Sequence, residues 1–493
     1  MKPPVHRSPD GPRPTVSEGT PAHPGTSGGG RIALRWAMAG AALLAATAAL
    51  LGIGVRASFG AHVAVDEPQY LLTALSIYED FDLDISDELA ARRWVPWGGE
   101  VLPVQTEVLE DGRQISPHDP LLPVLLAVPM GLGGWVAAKV TLALMAGALA
   151  ALTLWTAVRR FGVPYRPATA GVALAFASAP FAVYGQQVYP ELPAALATVA
   201  AVAILTAWPA RPVSGPAADP RRPRPAALWA FGLVVTALPW LSVKYAPVAA
   251  VIALLGLWRA RSRALAAGFA VMGAAYLVIH RLVWGGWTVY ASGDHFQQSG
   301  EFGVMGFDPD YAGRAFRLLG LLVDRGYGLA AWQPAWLLLV PAVGCALRAP
   351  RRPVLLLPLA AAWLTATFVA LTMHGYWWPG RQLVVALPLA LILVLAYAAT
   401  ASRPVKALAA LLGAAGVVTY GLLVADGLAG RIAWVSGFED VSSPIYRAAR
   451  LVLPDYRQGW ALFWPYHVAW LVLVLALALA PTIMLRRKPH VTP

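Results

Sequence analysis

The chain has 493 residues, of which 58% are hydrophobic and only 13% charged. Soluble domains contain about 25% charged residues, so this composition excludes an ordinary soluble protein and predicts an all-α polytopic membrane protein. The net charge of +12 does not indicate nucleic-acid binding, because the basic residues lie in short runs between apolar stretches and no nucleic-acid motif accompanies them.

The N-terminal residues 1–30 are rich in Pro, Gly, Ser and Thr, which predicts a disordered cytoplasmic tail. An apolar run follows, from Ile32 to Val55. A cleaved signal peptide has a shorter apolar core, of about 7–15 residues, and no polar leader of this kind. We therefore interpret the run as a retained first transmembrane helix.

Clusters of Arg and Lys predict the topology, because short basic loops stay on the cytoplasmic side. Only Asp10, Glu18 and Asp219 of the 26 acidic residues fall in these basic segments, so the two signs of charge sort to opposite sides. We expect a multi-pass plasma-membrane protein with both termini in the cytoplasm, one transmembrane domain over 31–485 and a second tail at 486–493. About twelve spans are predicted, at 32–55, 136–158, 167–184, 191–208, 226–243, 245–258, 264–284, 328–347, 353–373, 382–400, 405–424 and 461–485.

The first outer loop, residues 56–135, is long and acidic. Its last part, 121–134, is apolar but broken by Pro and Gly. Counting it as a span would place the next arginine cluster on the outer side, so we predict an interfacial or re-entrant segment.

The first outer loop begins with the run VDEPQYLLTALSIYEDFDLDI. Pro68 suits the first turn of a helix, and the leucines that follow predict an amphipathic helix on the membrane surface. Asp66 would lie at its N-terminus, where the helix dipole favours an ionised carboxylate, and Tyr70 would share its face. Such a carboxylate suits a general base; a helix cap on a solvated acidic loop is the alternative.

Six further acids follow in the same loop. They are typical of a solvated face, and metal binding is the minor alternative. They are Glu79, Asp80, Asp82, Asp84, Asp87 and Glu88.

Two charged residues lie at predicted outer helix ends in the middle of the chain. Glu191, beside Tyr189, opens the fourth span, and an ionisable residue at membrane depth is a functional candidate. Pairing with a structural arginine is its alternative. Lys244, beside Tyr245, is an isolated outward cation that indicates an anion, unless it simply extends to the interface.

Arg381 ends the run MHGYWWPGR at the start of the tenth span. A basic residue beside aromatic rings can hold a phosphate while a ring stacks on a sugar. His374 and Trp378 belong to the same run, and Asp294 and His295 elsewhere are weaker candidates for acceptor or metal contacts. Carboxylates, isolated cations and rings on one side suit a substrate with a lipid tail, a phosphate and a sugar.

An Asp-Glu pair directly after the first span, in a long first outer loop, resembles the GT-C superfamily of membrane glycosyltransferases, of the protein O-mannosyltransferase and lipid A aminoarabinose transferase type. PHDPLLPVLLAVPMG, VYPELPAAL, LPWLSVKY and HGYWWPGRQLVVALPLALIL extend the resemblance along most of the chain. One departure is His118-Asp119-Pro120, where many members have Lys-Pro-Pro.

The resemblance implies inverting transfer of a sugar from a polyprenyl-phosphate donor to a hydroxyl of a glycan, lipid or protein on the extracytoplasmic side. Asp66 would be the catalytic base, and Glu67 would support it or help to bind the substrate or a divalent metal. Substrate-binding candidates are Tyr70, Tyr189, Glu191, Lys244, Tyr245, His374, Trp378 and Arg381.

Two other classes of protein compete with this interpretation. A transporter or flippase places ionisable groups near mid-membrane, whereas here they lie at outer helix ends. A non-catalytic membrane scaffold accounts for the helices but gives no reason for these charges to gather on one side.

Overall fold

The computed structural model describes residues 28–102, 105–109, 111–208, 223–289, 310–349, 352–370 and 373–486. Most of the N-terminal tail, the candidates Asp294 and His295, and the final residues of the chain lie outside this part. A two-residue hairpin, β1 (Glu107–Val108) and β2 (Gln114–Ile115), lies in the first loop.

The other regular elements within the described residues are helices. The α-helices in chain order are α1 (Gly28–Leu51), α2 (Glu67–Glu79), α3 (Ser86–Ala90), α4 (Val95–Gly98), α5 (Leu121–Phe161), α6 (Tyr165–Phe176), α7 (Phe181–Tyr184), α8 (Glu191–Leu205), α9 (Pro225–Leu241), α10 (Ala246–Ala260), α11 (Arg263–Val283), α12 (Tyr311–Ala315), α13 (Arg317–Val323), α14 (Leu329–Trp332), α15 (Leu339–Ala346), α16 (Pro353–Leu364), α17 (Leu387–Thr400), α18 (Arg403–Leu428), α19 (Pro444–Val452) and α20 (Trp460–Arg486).

Six helical segments within the described residues are long and apolar enough to cross a membrane: Gly30–Leu51, Leu121–Phe161, Val243–Ala260, Arg263–Val283, Arg403–Leu428 and Trp460–Ala480. Shorter apolar helices occupy most of the other predicted spans. The predicted all-α, multi-pass class is confirmed, and each predicted span coincides with a helical segment.

At least three predicted spans are interrupted. The predicted helix over 328–347 breaks at Gln333, which is extended because Pro334 follows it; a 3-10 turn, Pro334–Leu338, then leads into α15. The predicted helix over 167–184 is divided into α6 and α7, and the one over 353–373 leaves α16 as a π-helical turn, Thr365–Val369. Pro residues within or beside the apolar runs account for the first two breaks, since proline removes a backbone donor.

Helix α5 is broken at the end of the segment 121–134, before the predicted span 136–158. Gly133 and Gly134 are not helical, and Gly134 has a φ of 62° and a ψ of −162°, a conformation open only to glycine. Helix 121–132 and the span that follows are therefore separate rods. The second rod packs closely on α1: a Cβ at Gly147 would lie 2.7 Å from the carbonyl oxygen of Ala42, the small-residue contact typical of membrane helices.

Helix α2 forms where the sequence predicts it, but its burial differs from the prediction. Residues 67–76 are all buried, including Glu67 and Gln69, and the helix packs on α5. Over this part α2 is thus not an amphipathic helix with one face open to solvent or lipid headgroups. The period of its leucines indicates one apolar face and cannot show that α5 and neighbouring loops also cover the polar one.

Candidate active site

Four charged side chains from distant parts of the chain meet in one ion-pair network. The Arg381 guanidinium donates through NH2 to Asp66 Oδ2 at 2.6 Å and through Nε to Glu191 Oε1 at 2.8 Å. Lys244 Nζ donates to the same Glu191 oxygen at 2.6 Å. These four side chains form a series in which cations and carboxylates alternate, in the order Lys244, Glu191, Arg381 and Asp66. We call this series the ion-pair network.

Each member of the network sits at an element end. Asp66 is the N-cap residue of α2, and Glu191 is the first residue of α8. Lys244 lies in a 3-10 turn between α9 and α10, and Arg381 opens a 3-10 turn before α17. Gly380 precedes Arg381 with a φ of 84°, which turns the chain toward the network. Their meeting agrees with the predicted topology, which places all four on one side.

The network is mostly buried but remains accessible at both ends. The side-chain exposures are 24% for Lys244, 0% for Glu191, 10% for Arg381 and 14% for Asp66. Buried charges need partners of opposite sign, and here two cations balance two carboxylates. Burial alone would raise the pKa of Asp66, but Arg381 and His118 more than offset it and hold that pKa well below its usual range. Asp66 is therefore ionised.

Aromatic rings hold the two cations. The Arg381 guanidinium lies 4.0 Å from the ring centroid of Tyr189 and 5.5 Å from that of Trp377. Lys244 Nζ lies 5.2 Å from the Tyr245 ring. Cation–π contacts strengthen as water is excluded. The rings therefore help to hold the side chains of Arg381 and Lys244 in place.

His118 extends the network beyond Asp66. Its Nε2 lies 3.8 Å from Asp66 Oδ2, and its Nδ1 lies 2.8 Å from Ser116 Oγ. The Tyr70 ring packs on His118 at 4.6 Å between centroids, so Tyr70 shares the Asp66 neighbourhood as predicted. In the sequence, His118 stands out only as a departure from the Lys-Pro-Pro pattern. A polar residue at that position is the one sequence feature that points to it.

Asp119 ties the loop that carries His118 to the helices around Lys244. Its carboxylate accepts hydrogen bonds from Tyr276 Oη at 2.8 Å, from His280 Nε2 at 3.0 Å and from the Val243 amide at 2.8 Å. Val243 directly precedes Lys244, so Asp119 positions both ends of the site. The sequence gives no periodic signal for such long-range contacts.

Glu67 does not join the network. Its Oε2 accepts from the Ala64 amide at 2.9 Å and its Oε1 from the Val188 amide at 2.8 Å. Burial raises the pKa of Glu67, against the opposing effect of Lys139 on α5. The carboxyl thus ties the start of α2 to the segment before α8, which carries Tyr189, and its geometry is that of a positioning residue.

Trp378 and His374, two further candidates, lie apart from the network. Trp378 is fully buried among aromatic rings, with Trp332, Trp434 and Phe438 at centroid distances of 4.7, 5.6 and 5.4 Å. His374 Nε2 lies 3.3 Å from Oδ2 of Asp324, an acid that the sequence did not single out.

His374 lines a separate polar cavity of about 320 Å³. Three arginines, Arg325, Arg450 and Arg457, line it together with Glu439 and Tyr327. The run from His374 to Arg381 joins this arginine-lined cavity to the ion-pair network, because Trp377 in the same run packs on Arg381.

Within the described residues, one group of carboxylates has the spacing of metal ligands. It comprises Asp80, Asp87 and Glu88, at the opposite end of α2 from Asp66. The ion-pair network itself is internally neutralised, which does not favour a resident cation there.

No protein-family model and no curated protein matches the chain. Among solved structures the chain is similar to the crystal structure of ArnT from Cupriavidus metallidurans bound to undecaprenyl phosphate, with 19% sequence identity and a TM-score of 0.47, over 93% of this chain and 73% of that one.

Proposed function

We propose that this protein transfers a sugar from a polyprenyl-phosphate donor to an acceptor hydroxyl, with inversion, on the extracytoplasmic side of the plasma membrane. The supporting observation is the ion-pair network, which places two cations and a partly accessible carboxylate at helix ends in a multi-pass protein. The motif resemblance of the Asp66-Glu67 segment to GT-C glycosyltransferases points the same way.

The two cations suit the leaving group. In the reaction the donor is a phosphate diester with one negative charge, and the departing polyprenyl phosphate carries about one charge more. Cations that contact this phosphate bind the transition state more tightly than the ground state, which accelerates the reaction. Arg381 and Lys244 would therefore be the phosphate ligands, and Tyr189 and Trp377 hold the guanidinium for that purpose.

Asp66 would accept the acceptor's proton. The acceptor oxygen attacks the anomeric carbon, the bond from that carbon to the phosphate oxygen breaks, and its electron pair leaves with the lipid phosphate. The acceptor O–H proton passes to a carboxylate oxygen of Asp66. The products are a glycosylated acceptor and a polyprenyl phosphate.

Asp66 is a weak base while Arg381 donates to it, because the guanidinium lowers its proton affinity. A bound phosphate competes for the same N–H groups. When Arg381 turns to the phosphate, the pKa of Asp66 rises toward its ordinary value and its basicity increases. Donor binding would thus prepare the base.

His118 is the second candidate for the base. It lies 3.8 Å from Asp66 Oδ2 and contacts Ser116 through its other nitrogen, so it could take the proton onward or directly. His118→Gln separates the roles: loss of turnover equal to that of Asp66→Asn assigns it a catalytic role, and a small loss leaves it as a positioning residue.

The arginine-lined cavity is the proposed place for the acceptor. It is polar, and it shares the His374–Arg381 run with the network, so a ligand there would adjoin the donor phosphate. Its arginines would favour an acceptor that carries a negative charge.

A transporter or flippase of lipid-linked sugars remains the alternative function. Purified protein in proteoliposomes, given a panel of polyprenyl-phosphate sugars and acceptors, distinguishes the two. Release of polyprenyl phosphate with a glycosylated product supports the transferase; movement of intact donor between leaflets without product supports the transporter.

A further inference from the structure

Glu88, on the short helix α3, is a buried acid whose charge is not compensated in an ordinary way. The residue is 1% exposed, and neither of its carboxylate oxygens has a hydrogen-bond partner among the described residues. A buried carboxylate without a partner is costly. We therefore expect a proton or a cation to neutralise the Glu88 carboxylate.

Two other carboxylates face the same point. One oxygen each of Asp80, Asp87 and Glu88 lies within 4.8 Å of the others. Asp80 is the C-cap residue of α2, while Asp87 and Glu88 belong to the first turn of α3. Both aspartates are exposed, so the group opens to solvent on one side and is closed by Glu88 on the other.

The acids nearby are already engaged. Glu79 forms a two-pronged salt bridge with Arg93, at 2.8 and 3.0 Å. Asp82 Oδ1 accepts from Ser76 Oγ at 2.8 Å, and Asp84 Oδ1 accepts from the Gln114 amide at 2.9 Å. Arg93 lies near these acids and pairs with Glu79. Among the described residues, none of the three carboxylates of Asp80, Asp87 and Glu88 forms a salt bridge with a cation.

We propose that Asp80, Asp87 and Glu88 form a binding site for one divalent cation of the Ca²⁺ type, which ties the end of α2 to α3. Hard oxygen ligands select Ca²⁺ or Mg²⁺ over softer metals. Ca²⁺ accepts irregular sets of six to eight oxygens, and the solvent on the open side supplies the rest. Extracellular Ca²⁺ modules have dissociation constants of about 10⁻⁴–10⁻³ M.

A proton is the competing occupant. Burial disfavours the charged form of a carboxyl group, so a proton would neutralise the Glu88 carboxylate just as a cation would. A cation and this proton would compete for the same oxygens. Glu88→Gln distinguishes the two, since the amide imitates the protonated acid and cannot replace a carboxylate ligand.

The test is equilibrium binding of ⁴⁵Ca²⁺ to the purified full-length protein in nanodiscs after chelator treatment, with melting curves in parallel. We expect about one ion per chain in the wild type, a melting temperature that rises with Ca²⁺, and at least a tenfold loss of affinity in Glu88→Gln. Asp80→Asn and Asp87→Asn, both at exposed positions, should weaken binding as well. Asp111→Asn, an exposed acid paired with Arg113 at 2.7 Å, makes the same charge change elsewhere in the loop and should leave binding unchanged.

Absence of saturable binding in the wild type, with Glu88→Gln as stable or more stable, would assign the group to a proton and overturn the proposal. Equal binding by wild type and Glu88→Gln would place any ion elsewhere and overturn it too. Neither measurement uses a sugar donor, so its failure is separate from failure of the proposed transferase activity.

Discussion

Asp66→Asn is the substitution that separates catalysis from donor binding. The amide is nearly isosteric and keeps one oxygen to accept from Arg381, which remains paired with Glu191. Removing one partner of a buried ion pair costs about 3–5 kcal/mol; the retained contacts should keep the loss below about 3 kcal/mol. A positioned general base contributes about 10²- to 10⁴-fold, so we expect kcat to fall by that factor.

The donor affinity of Asp66→Asn should not fall together with its kcat. The ion-pair network is neutral in the wild type and carries one positive charge in Asp66→Asn, which favours a donor phosphate. We expect donor binding to stay equal or to tighten by up to about tenfold, or ~1.4 kcal/mol. Glu191→Gln is the matched control, because it makes the same charge change in the same network without removing the base.

The assay measures transfer from the polyprenyl-phosphate sugar that the wild type uses, together with donor binding and melting temperature for all three proteins. Glu191→Gln should retain far more turnover than Asp66→Asn at similar donor affinity. The reasoning is refuted if Asp66→Asn turns over within about threefold of wild type. It is refuted equally if the two variants lose the same turnover, since the effect would then be one of charge alone.

Three further results are expected. Arg381→Lys keeps the charge but cannot span Asp66 and Glu191, so donor affinity should fall at least tenfold in a direct binding assay; unchanged affinity would exclude Arg381 as a phosphate ligand. Glu67→Gln should lower the free energy of unfolding by about 1–3 kcal/mol, because the amide N–H would face a backbone N–H that the carboxylate now accepts from. Thermal unfolding measures this change. Loss of turnover without loss of stability would instead indicate a catalytic role for Glu67. In the donor-free protein the pKa of Asp66 is depressed, so its carboxylate stays ionised and kcat/KM should show no acid limb from Asp66 between pH 5 and 8. In the donor complex the bound phosphate draws Arg381 away and the pKa of Asp66 rises, so the acid limb in kcat should lie at higher pH than the acid limb in kcat/KM. Acid limbs at the same pH in both profiles would contradict this release.

The sequence predicted the helical layout well because the relevant signals are local. Apolar runs mark candidate helices along the chain, and a helical segment occurs at each expected span. The breaks at Gln333 and within 167–184 were missed because a hydropathy window averages over a proline. The burial of α2 was missed because a leucine period reports one apolar face and not what covers the opposite face.

The site was predicted in its membership more than in its pairing. Asp66, Glu191, Lys244 and Arg381 were each singled out because a charge at an outer helix end is unusual, and the structure brings all four together. The contact of Lys244 and Arg381 with Glu191 depends on how α8, α10 and α17 pack, which no local pattern encodes. Trp378 is fully buried among aromatic rings, and its role in substrate binding stays a prediction.

The pairing within the network has a consequence for the order of substrate binding. In this structure Arg381 donates to the carboxylates of Asp66 and Glu191. On the proposed function these are N–H groups that a donor phosphate would use, so the protein's own anions would fill the phosphate site and keep Asp66 weakly basic. An acceptor or a water molecule that arrives first meets a carboxylate with little proton affinity. On the proposed function, a donor phosphate would compete with that carboxylate for Arg381, and its binding would bring the sugar and the released base together. If the protein is the proposed transferase, we therefore expect it to bind the donor before it activates the acceptor, which would protect the base from unproductive proton transfer.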